Sequence, residues 1–414
     1  MYTTLLAIGI IVFLSHFLSL TFRKTQIPDV LVLMCLGLLL GPVLGVVSAQ
    51  DFGKIGPILA TIALVVILFE SGTSLRLEVI ARSLGTTAKI TIGCFVLTIA
   101  VVAIVGWGWF SLPVASALLL GVILGGTSSA VVIPMVQTLR LGNKTSAVLV
   151  LESALTDVLC ILGVVAMLQA LSGAQVEPGR IVGGVLASLL FAVLLGVLGG
   201  VGWLLILGKV RDFPNTISST IAYAFIVYGC TEFFGFSGAV AAMALGVTLT
   251  NYERMGLSQL RLLRREVEPL TPADLAFFQE AVFLLKTYFF VYLGISIQFK
   301  GWEFVAIALV MVLMIYVLRI ILVRRVFSAH EYRLRDASYA SFLAPKGLAA
   351  AVLATVPAQH GIEGADVIRD VTYMVILVSI VLSAVLAATY PAGPVRAFFS
   401  ILLGKKDVAE RPHE

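Results

Sequence analysis

Leu149-Val150-Leu151-Glu152-Ser153-Ala154-Leu155-Thr156-Asp157-Val158-Leu159 sets two carboxylates inside an apolar run long enough to cross a bilayer. An ionised carboxylate at the centre of a spanning helix costs roughly 3 kcal/mol on insertion scales, so such residues mark functional sites. At 3.6 residues per turn, Glu152 and Thr156 share one face, as do Ser153 and Asp157, while Glu152 and Asp157 diverge by about 140°. The two acids therefore do different work, and the rest of the chain must supply their partners.

The surroundings of this run are equally apolar. Hydrophobic residues make up 60% of the 414 positions and charged residues 12%, with a mean hydropathy of +1.07. That balance excludes a soluble globular domain and reads as an all-α polytopic membrane protein, with the lipid bilayer as its first partner. Cys35, Cys94, Cys160 and Cys230 all fall in apolar runs without metal or disulfide spacing, and read as small packing residues. No basic tract is interleaved with aromatics, so nucleic acid is not implied. The first apolar run is followed, not preceded, by Arg23 and Lys24, the reverse of a signal peptide's charge order, and reads as a retained span.

Apolar runs of the length that crosses a hydrocarbon core number about 13, near 3–21, 28–49, 55–74, 86–108, 113–137, 145–171, 181–207, 214–234, 237–251, 273–298, 303–327, 335–357 and 368–391. Of the 28 basic residues, 20 then fall on one side of the membrane, among them Arg23, Lys24, Arg76, Arg82, Arg140, Arg324, Arg325 and Arg396. Only Lys54, Arg180, Lys300 and Arg369 fall on the other side. Cytoplasmic loops carry the Lys and Arg excess, so the N-terminus is expected outside and the C-terminus in the cytoplasm. The basic 252–272 segment reads as a cytoplasmic linker or surface helix, and 392–414 as a short cytoplasmic tail too small for a regulatory domain.

Two spans are interrupted. The fifth contains Gly125-Gly126-Thr127-Ser128-Ser129-Ala130 and then Pro134; the twelfth contains Ala344-Pro345-Lys346-Gly347. Broken backbone at membrane depth is tolerated only where protein buries it or a wet cavity receives it. Two such spans in corresponding halves point to a transporter's binding site. Their odd separation, seven spans, makes them enter from opposite sides, as an inverted repeat requires.

Lys346, at the second break, is the natural counter-charge for Glu152, and the expectation is a structural Glu152–Lys346 pair. Asp157 is then the carboxylate left to change partners, holding a proton or a monovalent cation in turn. Thr127, Ser128, Ser153 and Thr156 offer oxygens for that cation. Glu70 reads equally as an ion-access residue and as a snorkelling carboxylate. Glu280 and Lys286 are candidate supporting charges, pairing with Arg319 or bracing the site. His16 reads as a core or interface histidine. Gly37, Gly41 and Gly45 form a small-residue ridge that serves either a dimer seam or internal packing.

These residues carry a likeness. The chain resembles the NhaP-type sodium/proton antiporters of the monovalent cation:proton antiporter-1 family, which have the NhaA-like antiporter fold. Glu152-Ser153-Ala154-Leu155-Thr156-Asp157 is similar to that family's Glu-Ser-x-x-Asn-Asp element. The 278–294 run from Phe278-Gln279-Glu280 to Tyr292-Leu293-Gly294 is similar to its tenth-span pattern. Ala344-Pro345-Lys346-Gly347-Leu348-Ala349-Ala350-Ala351 is similar to its Pro-Arg-Gly-Leu-Ala-Ala-Ala element. The resemblance implies a prokaryotic inner-membrane homodimer that is a secondary transporter, not an enzyme, with no cofactor beyond the ions it moves. It also implies a moving core, placed at 86–171 and 273–357, against a dimerisation scaffold at 1–74, 181–251 and 368–391. The implied activity is electroneutral, elevator-type exchange of Na⁺ or Li⁺ for H⁺ around Asp157, with Glu152 and the base at 346 as a stabilising pair.

Three departures stand out: Thr156 replaces Asn, Lys346 replaces Arg, and Thr127-Ser128-Ser129 replaces the family's frequent Thr-Asp-Pro. A Ser-rich break also occurs among potassium/proton exchangers, so K⁺/H⁺ exchange is the alternative. A cation channel or a non-transporting membrane sensor is the alternative from another class; a channel would show a filter-like repeat, and none is found in the sequence.

Overall fold

The computed structural model describes residues 9, 13, 29–52, 55–171, 178–210, 217–257, 270–297, 301–328 and 330–404. Every long regular element among them is helical. All of the expected first span but residues 9 and 13, His16 included, and the 258–269 part of the basic segment lie outside the described residues.

The chain runs through α1 (Asp29–Leu38), α2 (Ile55–Thr73), α3 (Leu77–Phe110), α4 (Val114–Ile123), α5 (Ser129–Leu139) and α6 (Asn143–Leu171). It continues through α7 (Pro178–Val210), α8 (Ile217–Phe233), α9 (Gly238–Asn251), α10 (Pro272–Ser296) and α11 (Trp302–Val326). It closes with α12 (Leu334–Phe342), α13 (Leu348–Leu353), α14 (Val356–Gln359), α15 (Ala365–Thr389) and α16 (Gly393–Leu403). Each expected span from the second to the thirteenth finds its helix, and the fifth and twelfth are split where the sequence breaks them. This is a multi-pass integral membrane protein.

Boundaries differ where polar residues continue a helix past the bilayer. α3 has 34 residues, about 51 Å at 1.5 Å per residue, because nothing between Leu77 and the expected start at 86 stops a helix. α1 passes into a π-helical turn over Leu39–Val43, where Pro42 lacks the N–H that an α-helical ladder needs. Residues 393–403 form α16, started by Pro394 and stopped by Gly404 in the left-handed region at φ 61°, and it packs on α11 and α12.

Packing sorts the helices into two groups. α1, α2, α7, α8, α9 and α10 pack mainly on one another, and α3–α6 pack with α11–α16. The sequence expectation groups 273–298 with the core and 368–391 with the scaffold; in the packing, α10 lies on α1 and α2, and α15 on α11, α13 and α4. The glycine ridge of α1 explains the first contact. Cβ atoms at Gly37 or Gly41 would run into the backbone of Val291, Gly294 and Ile295 on α10, whereas one at Gly45 meets nothing. The ridge is therefore internal packing at Gly37 and Gly41.

Candidate functional site

The two broken spans run antiparallel. Near one end, Ser116 on α4 donates to the Glu363 carbonyl at 2.8 Å. At the other, Arg335 on α12 donates to the Leu139 carbonyl that ends α5, at 2.7 Å. Between these ties they cross, and the Ser128 N–H donates to the Pro345 carbonyl at 2.8 Å. Gly347 makes the crossing possible, since a Cβ there would overlap the Ser128 side chain.

A broken helix leaves backbone groups without partners, and in a membrane each must be satisfied. At the first break the Thr127 N–H donates to Thr156 Oγ1 at 3.0 Å, the two hydroxyls lie 3.3 Å apart, and Thr156 Oγ1 donates to the Ser153 carbonyl at 3.0 Å. One hydroxyl thus fastens α6 to the break. At the second break the partners come from α15: Ser383 Oγ donates to the Phe342 carbonyl at 2.9 Å, and Ser379 Oγ accepts from the Lys346 N–H at 2.9 Å. Tyr316 of α11 steadies both serines through the Ser379 carbonyl, at 3.1 Å, and Ser383 Oγ, at 2.6 Å.

Asp157 faces the first break. Its Oδ2 accepts from Ser129 Oγ at 2.9 Å, and that is its one hydrogen bond among the described residues. Ser129 is the first residue of α5, whose N-terminal dipole favours negative charge. One carboxylate oxygen is held and the other accepts no hydrogen bond among the described residues. Ser153, expected beside Asp157, instead donates back to the Val150 carbonyl of its own helix at 2.9 Å and is fully buried.

Glu152 corrects the expected pairing. Both of its oxygens are taken by Arg319 of α11, through Nη1 and Nη2, the latter at 2.7 Å. Glu152 is 1% exposed and Arg319 2%. Arg319 Nε further donates to the Ala340 carbonyl at 2.7 Å, and Nη1 to Cys94 Sγ at 3.3 Å. A planar guanidinium matches a carboxylate with two parallel bonds, which a lysine ammonium cannot do. Lys346 is also buried, but it makes no ion pair among the described residues. It borders a cavity of about 10 Å³ with Thr98, Thr127 and Arg319, room for about one water.

The remaining candidates are placed as follows. Glu70 is buried and accepts from Gln137 of α5 at 2.8 Å, so it does not snorkel; it links α2 to the broken span. Glu280 is exposed, and Lys286 lies 5.9 Å from the Phe283 ring centroid. Arg319 donates instead to Glu152, Ala340 and Cys94. Sequence reasoning passed over Ser129, Tyr316, Ser379 and Ser383. The one available signal was the i,i+4 spacing of Ser379 and Ser383, which puts two hydroxyls on one face of an apolar run.

Two membrane helices, each broken and crossing antiparallel beside a buried carboxylate, define a class: multi-pass membrane proteins with the antiporter fold. The structure of the sodium proton antiporter MjNhaP1 from Methanocaldococcus jannaschii at pH 8 superposes with a TM-score of 0.70 at 20% identity, covering 98% of this chain and 99% of that one. An electron-microscopy map structure of MjNhaP1 gives 0.74, with 99% of each chain covered.

The chain belongs to the sodium/hydrogen exchanger family, whose transmembrane profile matches residues 9–388. Relatives include the K(+)/H(+) antiporter NhaP of Alkalimonas amylolytica, 24% identical over 91% of this chain. Na(+)/H(+) antiporter 1 of M. jannaschii is 23% identical over 91% of this chain and 92% of its own length. The chain spans 64% of the Alkalimonas protein's length.

Proposed function

We propose that this chain is a secondary antiporter exchanging Na⁺ or Li⁺ for H⁺, with cation and proton competing for Asp157. The observation that carries this reading is the half-satisfied state of Asp157 at the crossing. Glu152 and Arg319 are fixed on each other, while Asp157 keeps one oxygen without a hydrogen bond among the described residues. Thr127, Ser128, Ser129 and Thr156 supply the nearby oxygens; Ser153 acts through its carbonyl, which holds the Thr156 hydroxyl.

The charge balance supports electroneutral exchange. Glu152 and Arg319 cancel, and Asp157 and Lys346 cancel when Asp157 is ionised. One Na⁺ or one H⁺ on Asp157 leaves the same net charge, so one-for-one exchange moves no net charge across the membrane.

Alternating access is proposed as an elevator motion of α3–α6 with α11–α15 against α1, α2 and α7–α10. This follows the packing groups and moves α10 to the scaffold and α15 to the core. Glu70–Gln137 spans the boundary between the two. A homodimer through the scaffold, in a prokaryotic inner membrane with the N-terminus outside and the C-terminus in the cytoplasm, completes the proposal and agrees with the basic-residue asymmetry.

K⁺/H⁺ exchange is the second reading. It is favoured by the Ser-rich first break and by the name of the Alkalimonas relative, a K(+)/H(+) antiporter. Proteoliposomes with an internal pH dye, given Na⁺, Li⁺ or K⁺ in turn under a clamped potential, separate the two. Proton efflux with Na⁺ or Li⁺ and none with K⁺ supports the first, the reverse supports the second, and flux that follows the clamped potential contradicts electroneutrality.

A further inference from the structure

A cavity of about 740 Å³ lies between α11, α15 and α16, away from the crossing, in the size range of small-molecule sites. Its walls are apolar, built by Leu313, Val317 and Ile321 of α11, Leu382 and Leu386 of α15, and Phe398 of α16. Its one charged end is Arg324 and Arg325, in the last turn of α11. Leu313 to Arg325 spans about 18 Å at 1.5 Å per residue, so the cavity is elongated along the membrane normal with both cations at one end.

Neither guanidinium makes an ion pair among the described residues. Arg324 Nη1 donates to the Leu402 carbonyl at 3.2 Å, its other donors take no partner among the described residues, and no acidic residue is found among those lining the cavity. The walls also open towards lipid: Val317 is 56% exposed and Phe398 57%. An apolar slot closed at one end by two cations without an ion pair among the described residues, at the basic side of the membrane, is complementary to one chemistry: a phosphate diester carrying hydrocarbon chains.

We propose that this cavity binds an anionic phospholipid, with an acyl chain against Leu313, Val317 and Leu386 and the phosphate on Arg324 and Arg325. The occupant would press on the crossing from behind. Tyr316, whose hydroxyl steadies Ser379 and Ser383, and Phe342, whose carbonyl Ser383 holds, both line the cavity. The lipid thereby braces the second break, and the binding does not depend on which cation is exchanged.

The test is native mass spectrometry of the full chain released from detergent with dioleoyl phosphatidylglycerol, with dioleoyl phosphatidylcholine, or with glycerol 3-phosphate alone. The wild type should retain phosphatidylglycerol over phosphatidylcholine and bind no glycerol 3-phosphate. The double variant Arg324→Gln/Arg325→Gln should lose roughly thirty-fold in phosphatidylglycerol affinity. Leu386→Trp, which fills the slot and keeps both cations, should lose it as well, whereas Arg82→Gln on α3 should not. Equal retention of the two lipids, or phosphatidylglycerol retained unchanged in either cavity variant, overturns the proposal. So does glycerol 3-phosphate binding in place of the lipid, which would make this an anion site only.

Discussion

Arg319 grips both oxygens of Glu152 from a different helix, and both side chains are all but inaccessible to solvent. The pair ties α11 to α6 behind the crossing, and the third guanidinium contact, to the Ala340 carbonyl, ties both to the helix before the second break. Removing one partner leaves a charge buried in low dielectric with nothing to offset it.

Arg319→Leu should therefore destabilise the protein by about 3–5 kcal/mol, read as a lowered melting temperature in detergent. Lys346→Ala should cost less, because it removes a charge that has no ion-pair partner among the described residues. The double variant Glu152→Gln/Arg319→Gln should recover much of the Arg319→Leu loss. A larger loss from Lys346→Ala than from Arg319→Leu would restore the pairing that the sequence suggested.

Gly347→Ala should abolish transport and lower stability, since the added methyl overlaps Ser128 where the broken spans cross. Combining it with Ser128→Gly makes room and should return part of the activity. Were Gly347→Ala as active as the wild type, the crossing would not be this close.

Thr156→Val keeps the shape of the side chain and loses the hydroxyl that accepts the Thr127 N–H and donates to the Ser153 carbonyl. A buried donor left without a partner costs about 1–3 kcal/mol, and transport should fall with it. Thr156→Ser should stay close to wild type in both readouts. Equal behaviour of Val and Ser at this position would remove the hydroxyl from the account.

Ser129→Ala withdraws the one hydrogen bond that Asp157 accepts among the described residues. That bond favours the ionised carboxylate, the form that takes a cation, so the cation concentration for half-maximal exchange should rise about tenfold at fixed pH. The maximal rate should change little. A lowered maximal rate with unchanged half-saturation would mean that Ser129 acts in the conformational step.

Much of this architecture was legible in the sequence. Span positions, both breaks and the isolation of Asp157 follow from apolar run length, from Gly and Pro at membrane depth, and from the cost of a buried charge. What could not be read was which cation meets which acid. Lys89, Lys286, Arg319 and Lys346 all lie within spans, and periodicity gives each a face on its own helix but no neighbour on another. The pairing of Arg319 with Glu152 depends on the packing of α11 against α3 and α12, which no local pattern encodes. The same holds for Ser379 and Ser383: their task, satisfying backbone freed on a different span, becomes visible only when α15 is seen beside the break. α16 was missed because its length and mixed face resemble a loop-side tail more than a span.

Competition at Asp157 carries the proposed function, and proton flux in proteoliposomes comparing wild type with Asp157→Asn tests it most directly. With the potential clamped and the pH dye inside, adding the transported cation to wild-type vesicles should release protons, and the cation needed for half-maximal release should rise as pH is lowered, reaching about tenfold per unit where Asp157 is mostly protonated. The Asp157→Asn vesicles should show no cation-dependent release. Release from Asp157→Asn vesicles equal to that of the wild type would contradict the account.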